Sequence, residues 1–444
     1  MTDAAAPYPG YGPKPYRAYV LAALFVVYTF NFIDRVLVGI LQEAIGADLG
    51  ISDFQLGLLG GPAFAILYTL TGLPIARAAE RHNRISIIAI GAAVWSAMTA
   101  ACGFAGNFTQ LVLARIGVGI GEAACVPASQ SVITDYFPSA RRATALSIWS
   151  MGIPIGAMLA AVGGGWVVSN LDWRTAFWLL GAPGILVALV FKLTVREPPR
   201  AGPPSEPPSF GEAFRFLATR RTFWHVAAAG ALMAFVGYST SQFLVSFIVR
   251  NFGLSIAEAS YAFGAIAGLS TASGTFLGGF LCDRLSGRHP LIYVWLPMSA
   301  LLLACALYLA AFWQASFWGW FALLMVAPMF HYMHLGPGYA VVQSIVPVRM
   351  RATTIAILIL IMNLIGYGLG PPIMGALSDH FANATLTPLG LDAAACKQAG
   401  ADAACGPALA DGLRYAMLCV VAILPWPALH FWLAGRTFLK DRVS

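Results

Sequence analysis

The chain has 444 residues, 59% of them apolar and only 10% charged, whereas an ordinary soluble domain runs at about 45 to 50% and about 25%. With 45 Gly, 28 Phe and 12 Trp and a mean hydropathy of +0.74, this composition excludes a water-soluble enzyme and points to a polytopic membrane protein. The formal charge of +7 comes from 26 basic residues dispersed between apolar runs, a pattern of membrane orientation rather than of nucleic-acid binding.

Residues 1–16, MTDAAAPYPGYGPKPY, lack the basic start, apolar core and cleavage site of a secretory signal and read as a short cytoplasmic tail. Apolar runs then recur at 17–41, 56–76, 85–105, 108–134, 143–169, 174–193, 224–249, 260–281, 290–312, 318–344, 352–377 and 412–435. About 20 residues cross roughly 30 Å of hydrocarbon, so the runs predict twelve transmembrane helices in an all-α bundle. Short connections make sequential helices antiparallel neighbours and leave no room for a separate catalytic domain. The even-numbered connections and both tails carry 20 of the basic residues; Arg174, Arg250, Lys397 and Arg414 lie on the other side, with Arg35 and Arg115 inside spans. That imbalance places both termini in the cytoplasm.

Two connections are long. Residues 194–223 hold REPPRAGPPSEPPSF, a Pro-rich linker, followed by GEAFRFLATRRTF, a basic amphipathic segment suited to the inner membrane face. They divide the chain into six-helix halves, 17–193 and 224–435, and residues 436–444 form a cytoplasmic tail. The outer connection, about 379–411, carries Cys396 and Cys405. In an oxidising periplasm these form a disulfide; the alternative is two free thiols in a tolerated insertion. The other five cysteines read as small apolar residues, and no metal-ligand spacing occurs among them. Neither a metal nor a cofactor is expected.

An internal repeat reinforces the division. FPSARRAT after the fourth span matches VPVRMRAT after the tenth: Pro138, Arg142, Ala143 and Thr144 align with Pro347, Arg351, Ala352 and Thr353 at a constant offset of 209. RAAERHNR after the second span parallels CDRLSGR after the eighth, and MGIPIG and GYGLGPPIMG continue the correspondence into spans five and eleven. Parallel repeats of this kind build transporter folds with the site near mid-membrane.

These loops, the Pro-x-x-x-Arg-Ala-Thr turns and DWRTAFWLLG at the start of span six resemble the major facilitator superfamily over nearly the whole chain. NFIDRVLVGIL in span one, with LARIGVGIGEAACVPAS and ITDYF around span four, is similar to the spinster branch. That resemblance implies transport of lysophospholipids or sphingosine 1-phosphate. The sequence departs from the pattern at Glu80, where the family has Asp, at Ala76, where the second half has Gly279, and at His82.

Charges inside the bilayer mark the machinery, because such residues are costly, face the bundle interior and pair. They are Asp34, Arg35, Arg115 and Glu122. Helical rise places Asp34 and Arg115 at similar depth, so they are expected to pair. Arg115 and Glu122 lie two turns apart on one face, beside Gly117, Gly119 and Gly121, which allow another helix to approach. Arg35 is expected to reach toward Glu122, although helical rise sets Glu122 about 10 Å deeper. Burial and a neighbouring guanidinium pull the protonation of Glu122 in opposite directions, which makes it switchable. Protonation frees Arg35 to bind an anionic headgroup or to change helix contacts, and so links proton and substrate to the inward and outward states. The alternatives are a static packing cluster and a proton-independent uniporter whose cluster binds substrate.

On the cytoplasmic side, Arg77, Glu80, Arg81, Arg84, Asp135, Arg142, Asp283, Arg284, Arg288 and Arg351 are candidate gate residues, with Glu80 near Arg81 and Arg84, Asp283 near Arg284 and Arg288, and Asp135 near Arg142. Orientation and headgroup contact are their simpler role. Substrate candidates are Asn31 and Arg35 in span one, Tyr238, Ser239 and Gln242 in span seven, His331 with His334 in span ten, and Asn363 and Tyr367 in span eleven. For each of them a helix–helix hydrogen bond competes with substrate contact. A cavity charged on one side and apolar on the other suits an amphiphile.

The sequence thus predicts a monomeric, proton-driven secondary transporter of a bacterial inner membrane. It works by alternating access on a lipid-like substrate amid membrane lipids. A drug efflux pump or organic-anion symporter shares the architecture, and a membrane sensor is the remote alternative.

Overall fold

A computed structural model describes residues 10–200, 210–287, 289–398 and 403–443; they are helical almost throughout, and no strand occurs among them. The predicted tail at 1–9 and the Pro-rich centre of the linker at 201–209 lie outside the described residues, as does Arg288. Among the described residues, eleven helices are individually long and apolar enough to span a bilayer. The predicted tenth span consists of two pieces, Phe317–Tyr332 and Leu335–Ser344, meeting at Met333–His334.

Several spans begin where a short polar side chain satisfies the free N–H groups of a first turn. Ser52 forms a capping box with Gln55 at the second span, and Ser255 does so with Glu258 at the eighth. Asn83, Asn107 and Asp172 cap the third, fourth and sixth spans. The Thr175 backbone and hydroxyl both donate to Asp172, holding its carboxyl below the usual carboxylate range. Gly253, at φ +67°, ends the seventh span in the left-handed conformation that glycine accepts without strain.

The chain resolves into two compact units: one holds everything through Val38 and from Ala63 to the linker, the other Gly39–Pro62 and everything after the linker. The second unit thus includes the outer ends of spans one and two, which the linker alone would assign to the first half.

Within each unit glycines bring helices to backbone contact. In the first, a Cβ on Gly119 would lie 2.6 Å from the Phe64 carbonyl oxygen of span two, one on Gly121 2.6 Å from the Trp95 nitrogen of span three, and one on Gly156 2.6 Å from the Thr29 carbonyl oxygen of span one. In the second, Gly274 and Gly278 of span eight meet the Met329 and Met333 carbonyls of span ten, and Gly370 of span eleven meets Phe235 of span seven. The pairings two with four and one with five therefore recur as eight with ten and seven with eleven, as expected of a repeat.

Two further expectations meet the structure here. Cys396 and Cys405 are disulfide-bonded. The amphipathic segment after the linker forms the helix Phe210–Ala218, with Ala213 and Leu217 buried and Phe214 exposed.

Candidate functional site

The first span is a single helix, Lys14–Leu49, eight residues longer at its outer end than hydropathy alone predicts. The fourth begins at Phe108, its first helical segment ends at Glu122, and it resumes at Cys125. Arg35 therefore lies fourteen residues below Leu49, and Glu122 fourteen residues into its own helix. At 1.5 Å per residue both sit about 21 Å from their helix ends, and the depth mismatch expected from the sequence disappears. Arg35 Nε donates to Glu122 Oε2 at 2.7 Å, with the Arg35 side chain 17% exposed and that of Glu122 fully buried.

Aromatic rings complete the surroundings. The Arg35 guanidinium carbon stands 5.1 Å from the ring centre of Phe32, 5.1 Å from Phe64 and 4.5 Å from Tyr68. A desolvated guanidinium gains about 2 kcal/mol from such a face, so the box holds the cation apart from its carboxylate partner. Neither Phe64 nor Tyr68 stands out in the sequence, since their i, i+4 spacing in an apolar run is indistinguishable from core packing.

The expected Asp34–Arg115 pair is not made as a contact: among the described residues no ion pair within 4 Å joins them. Arg115 is buried, its guanidinium carbon 5.5 Å from the Phe64 ring, and its three side-chain nitrogens find no hydrogen-bond partner among the described residues. Asp34 is buried in the field of Arg115 and Glu122. The same extension of span one sets Asp34 about 22 Å below the helix end at Leu49, while Arg115 lies only about 10 Å into its own helix, so the similar depth expected of the two is lost. Asn31, also buried, has both side-chain polar atoms without a partner among the described residues, as have Asp34 Oδ1, Glu122 Oε1 and Arg35 Nη2. Buried polar atoms in folded proteins are nearly always satisfied. Such a concentration of unpartnered polar atoms within one unit marks these residues as the candidate site.

The second unit's candidates separate into two groups. Tyr238 and Tyr367 face each other with ring centres 4.4 Å apart, and Asn363 and Tyr367 belong to a π-helical turn, Met362–Tyr367, of the kind found at functional positions. The remainder serve helix packing. His331 Nε2 donates to the Met233 carbonyl at 3.2 Å, and His334 Nδ1 to that of His331 at 2.6 Å. Gln242 Nε2 donates to Gln42 Oε1 at 3.1 Å, while Ser239 packs against Gly370.

At the cytoplasmic ends the expected partners change. Arg84 is a buried hub whose Nη1 donates to Asp135 and Ser131, Nε to Glu197 at 2.6 Å, and Nη2 to the Pro198 carbonyl at 3.1 Å. Asp135 thus accepts from Arg84, because the first turn of span three opposes the last turn of span four. Arg142 Nε donates to the Phe137 carbonyl, and Arg351 Nε to that of Gln343, both at 3.1 Å. Each repeat-related arginine closes the C-terminus of the helix before it. Asp283 accepts from Tyr293 at 3.0 Å. Arg77, Glu80, Arg81 and Arg284 are exposed.

One cluster has no counterpart among the residues singled out in the sequence. It lies on the outer side of the second unit, where Asp53 accepts from Arg250, Lys397 and Ser378.

Glycine-pitched bundles of paired spans, a charged pocket in spans one, two and four, and arginine-closed cytoplasmic turns define a secondary-transporter architecture. The Major Facilitator Superfamily profile matches residues 24–371, and the chain belongs to that superfamily; it is a multi-pass membrane transporter, not an enzyme. It is similar to a bacterial homologue of the human lysosomal transporter Spinster, solved inward-facing and unoccupied: 40% identity, TM-score 0.90, 98% of this chain and 100% of that one covered. It is 30% identical over 438 residues to the "MFS-type efflux pump" of Mycolicibacterium smegmatis, covering 98% of this chain and 96% of the relative. It is 24% identical to the "Probable sphingolipid transporter spinster homolog 1" of Arabidopsis thaliana, over 76% and 75% of the two chains. Within the superfamily the chain is spinster-like, and it transports by alternating access.

Proposed function

We propose that the protein is a proton-coupled transporter of an amphiphile with an anionic or zwitterionic head and an acyl tail, in a bacterial inner membrane. The observation that carries this reading is the buried 2.7 Å Arg35–Glu122 ion pair, set among Asp34, Arg115 and Asn31. Glu122 has given up water for a single guanidinium on one oxygen, while its other oxygen has no partner among the described residues. A proton arriving there removes the charge that holds Arg35. The guanidinium stays in its aromatic box with its donors free for a phosphate or carboxylate head. Binding the head and releasing the proton are then competing ways of satisfying the same cation, which is the differential interaction that coupling requires. Asp34 and Arg115 supply a second acid and base in the same pocket, and Tyr238 and Tyr367 give the second unit a surface suited to an apolar tail.

The likeness to a probable sphingolipid transporter of Arabidopsis thaliana supports the lipid substrate. The likeness to a mycobacterial efflux pump over nearly the full length supports a second reading, export of a hydrophobic small molecule. Uptake into proteoliposomes separates the two and tests the coupling. A fluorescent lysophospholipid is expected to accumulate with the native chain under a pH gradient, and a hydrophobic dye without an anionic or zwitterionic head is not. Glu122→Gln and Asp34→Asn are each expected to lower gradient-driven uptake at least about tenfold, the loss of roughly 1.4 kcal/mol of coupling. Undiminished gradient dependence in both variants would show that neither acid couples.

A further inference from the structure

The outer ends of spans one and two belong to the same compact unit as spans seven to twelve, and what fastens them there is ionic. Asp53, at the start of span two, is fully buried. Its Oδ2 accepts from Arg250 Nη1 at 2.7 Å and from Ser378 Oγ at 2.6 Å; its Oδ1 accepts from Arg250 Nη2 at 2.8 Å and from Lys397 Nζ at 2.5 Å. Arg250 also grips Glu43 of span one at 2.6 and 3.1 Å. Asp379 of span eleven accepts from the backbone N–H groups of Asp53 and Phe54 at 3.0 and 2.8 Å, closing the N-terminus of span two from outside that helix. A bidentate guanidinium already holds Asp53, but Arg250 divides its one charge between Asp53 and Glu43. Lys397 is the second cation, delivered to Asp53 by the loop between spans eleven and twelve.

The backbone that delivers it is held at several points. Lys397 follows Cys396 directly, and Cys396 is bonded to Cys405, the first residue of the span-twelve helix. Residues 395–397 form a single tight turn whose first N–H is capped by Asp392 at 2.8 Å, and Asn383 accepts from the Ala393 N–H at 2.8 Å. The lysine stem runs over Gly46 of span one, where a Cβ would lie 3.4 Å from its Cδ. A long lysine side chain loses rotamer freedom when fixed, and a braced backbone reduces what else must be ordered.

We infer that Lys397 is the bolt of a latch on the outer side of the transporter, with the Cys396–Cys405 disulfide as its brace. Alternating access requires the outer ends of spans one and two to leave spans seven and eleven before a substrate can exchange outward, so the Asp53 cluster must break in every cycle. Lys397 is a positioning residue that sets how readily it does. The inference rests on alternating access alone and is independent of substrate identity and of proton coupling.

Hydrogen–deuterium exchange of the full chain in lipid nanodiscs, with neither substrate nor gradient, reads the latch directly. Lys397→Ala, and the double variant Cys396→Ser with Cys405→Ser, are each expected to speed exchange of the backbone between residues 46 and 60 about tenfold. Exchange between residues 84 and 135 stays native and reports that the variants are folded. Lys397→Arg, which keeps the charge, is expected to restore slow exchange. Native exchange over 46–60 in Lys397→Ala would overturn the bolt. Native exchange in the cysteine variant while Lys397→Ala is fast would overturn the brace.

Discussion

Arg84 and Arg35 are both buried arginines paired with carboxylates, and their surroundings give them opposite uses. Arg84 directs donors at Asp135, Glu197, Ser131 and a carbonyl; satisfied on all sides, it is a fixed tie between span three, span four and the start of the linker. Removing one partner of a buried pair costs about 3 to 5 kcal/mol, and both carboxylates here keep some water. Arg84→Ala is therefore expected to destabilise the chain by about 2 to 3 kcal/mol, seen as a lower Tm by tryptophan fluorescence in detergent. A native Tm would show that the hub ties nothing. Arg35 makes one carboxylate contact and leaves Nη2 without a partner among the described residues, which is the condition for a bond that is made and broken. The sequence sets Arg35 inside a span and Arg84 at a cytoplasmic end; the count of partners is what shows their opposite uses.

At the scale of the helix, the apolar runs were legible because roughly 20 consecutive apolar residues seldom occur outside a membrane span. Their ends were less so, and span one shows why. Hydropathy closes it at Leu41, where Gln42 and Glu43 begin a polar stretch, yet the helix continues to Leu49 because those side chains are satisfied internally, Gln42 by Ser246 and Glu43 by Arg250. Those two extra turns remove the apparent difference in depth between Arg35 and Glu122. The Asp53 cluster was illegible for the same reason: its members come from spans one, two, seven and eleven and a loop, and no spacing in the chain announces it. The glycines of span four were legible as a close approach, but not which helix would approach. Gly121 meets span three so tightly that Gly121→Ala is expected to cost about 1 to 3 kcal/mol. Gly163 of span five, with nothing within 4 Å of its Cβ position, should accept alanine with an unchanged Tm. Equal behaviour of the two variants would mean that backbone contact does not hold spans three and four together.

For the molecule as a whole, the repeat at an offset of 209 was the strongest signal, and it reappears as matched helix pairings and as matched arginines, Arg142 and Arg351, closing the C-termini of the helices before them. The charges break that symmetry. The first unit holds the buried polar cluster of Asn31, Asp34, Arg35, Arg115 and Glu122, while the second has Tyr238 and Tyr367 and carries the buried Asp53 cluster at its outer edge. On the proposed reading, the head of an amphiphile and the proton are handled in the first unit. The most direct measurement is the proton itself: a pH indicator in weakly buffered detergent solution, recorded as lysophospholipid is added to the purified chain. The native protein is expected to take up protons on binding at a pH where Glu122 is partly protonated, because the head displaces the Glu122 carboxylate from Arg35, and Glu122→Gln to bind the lipid with that uptake lost. Equal uptake by the two proteins, or release by the native one, would contradict the account.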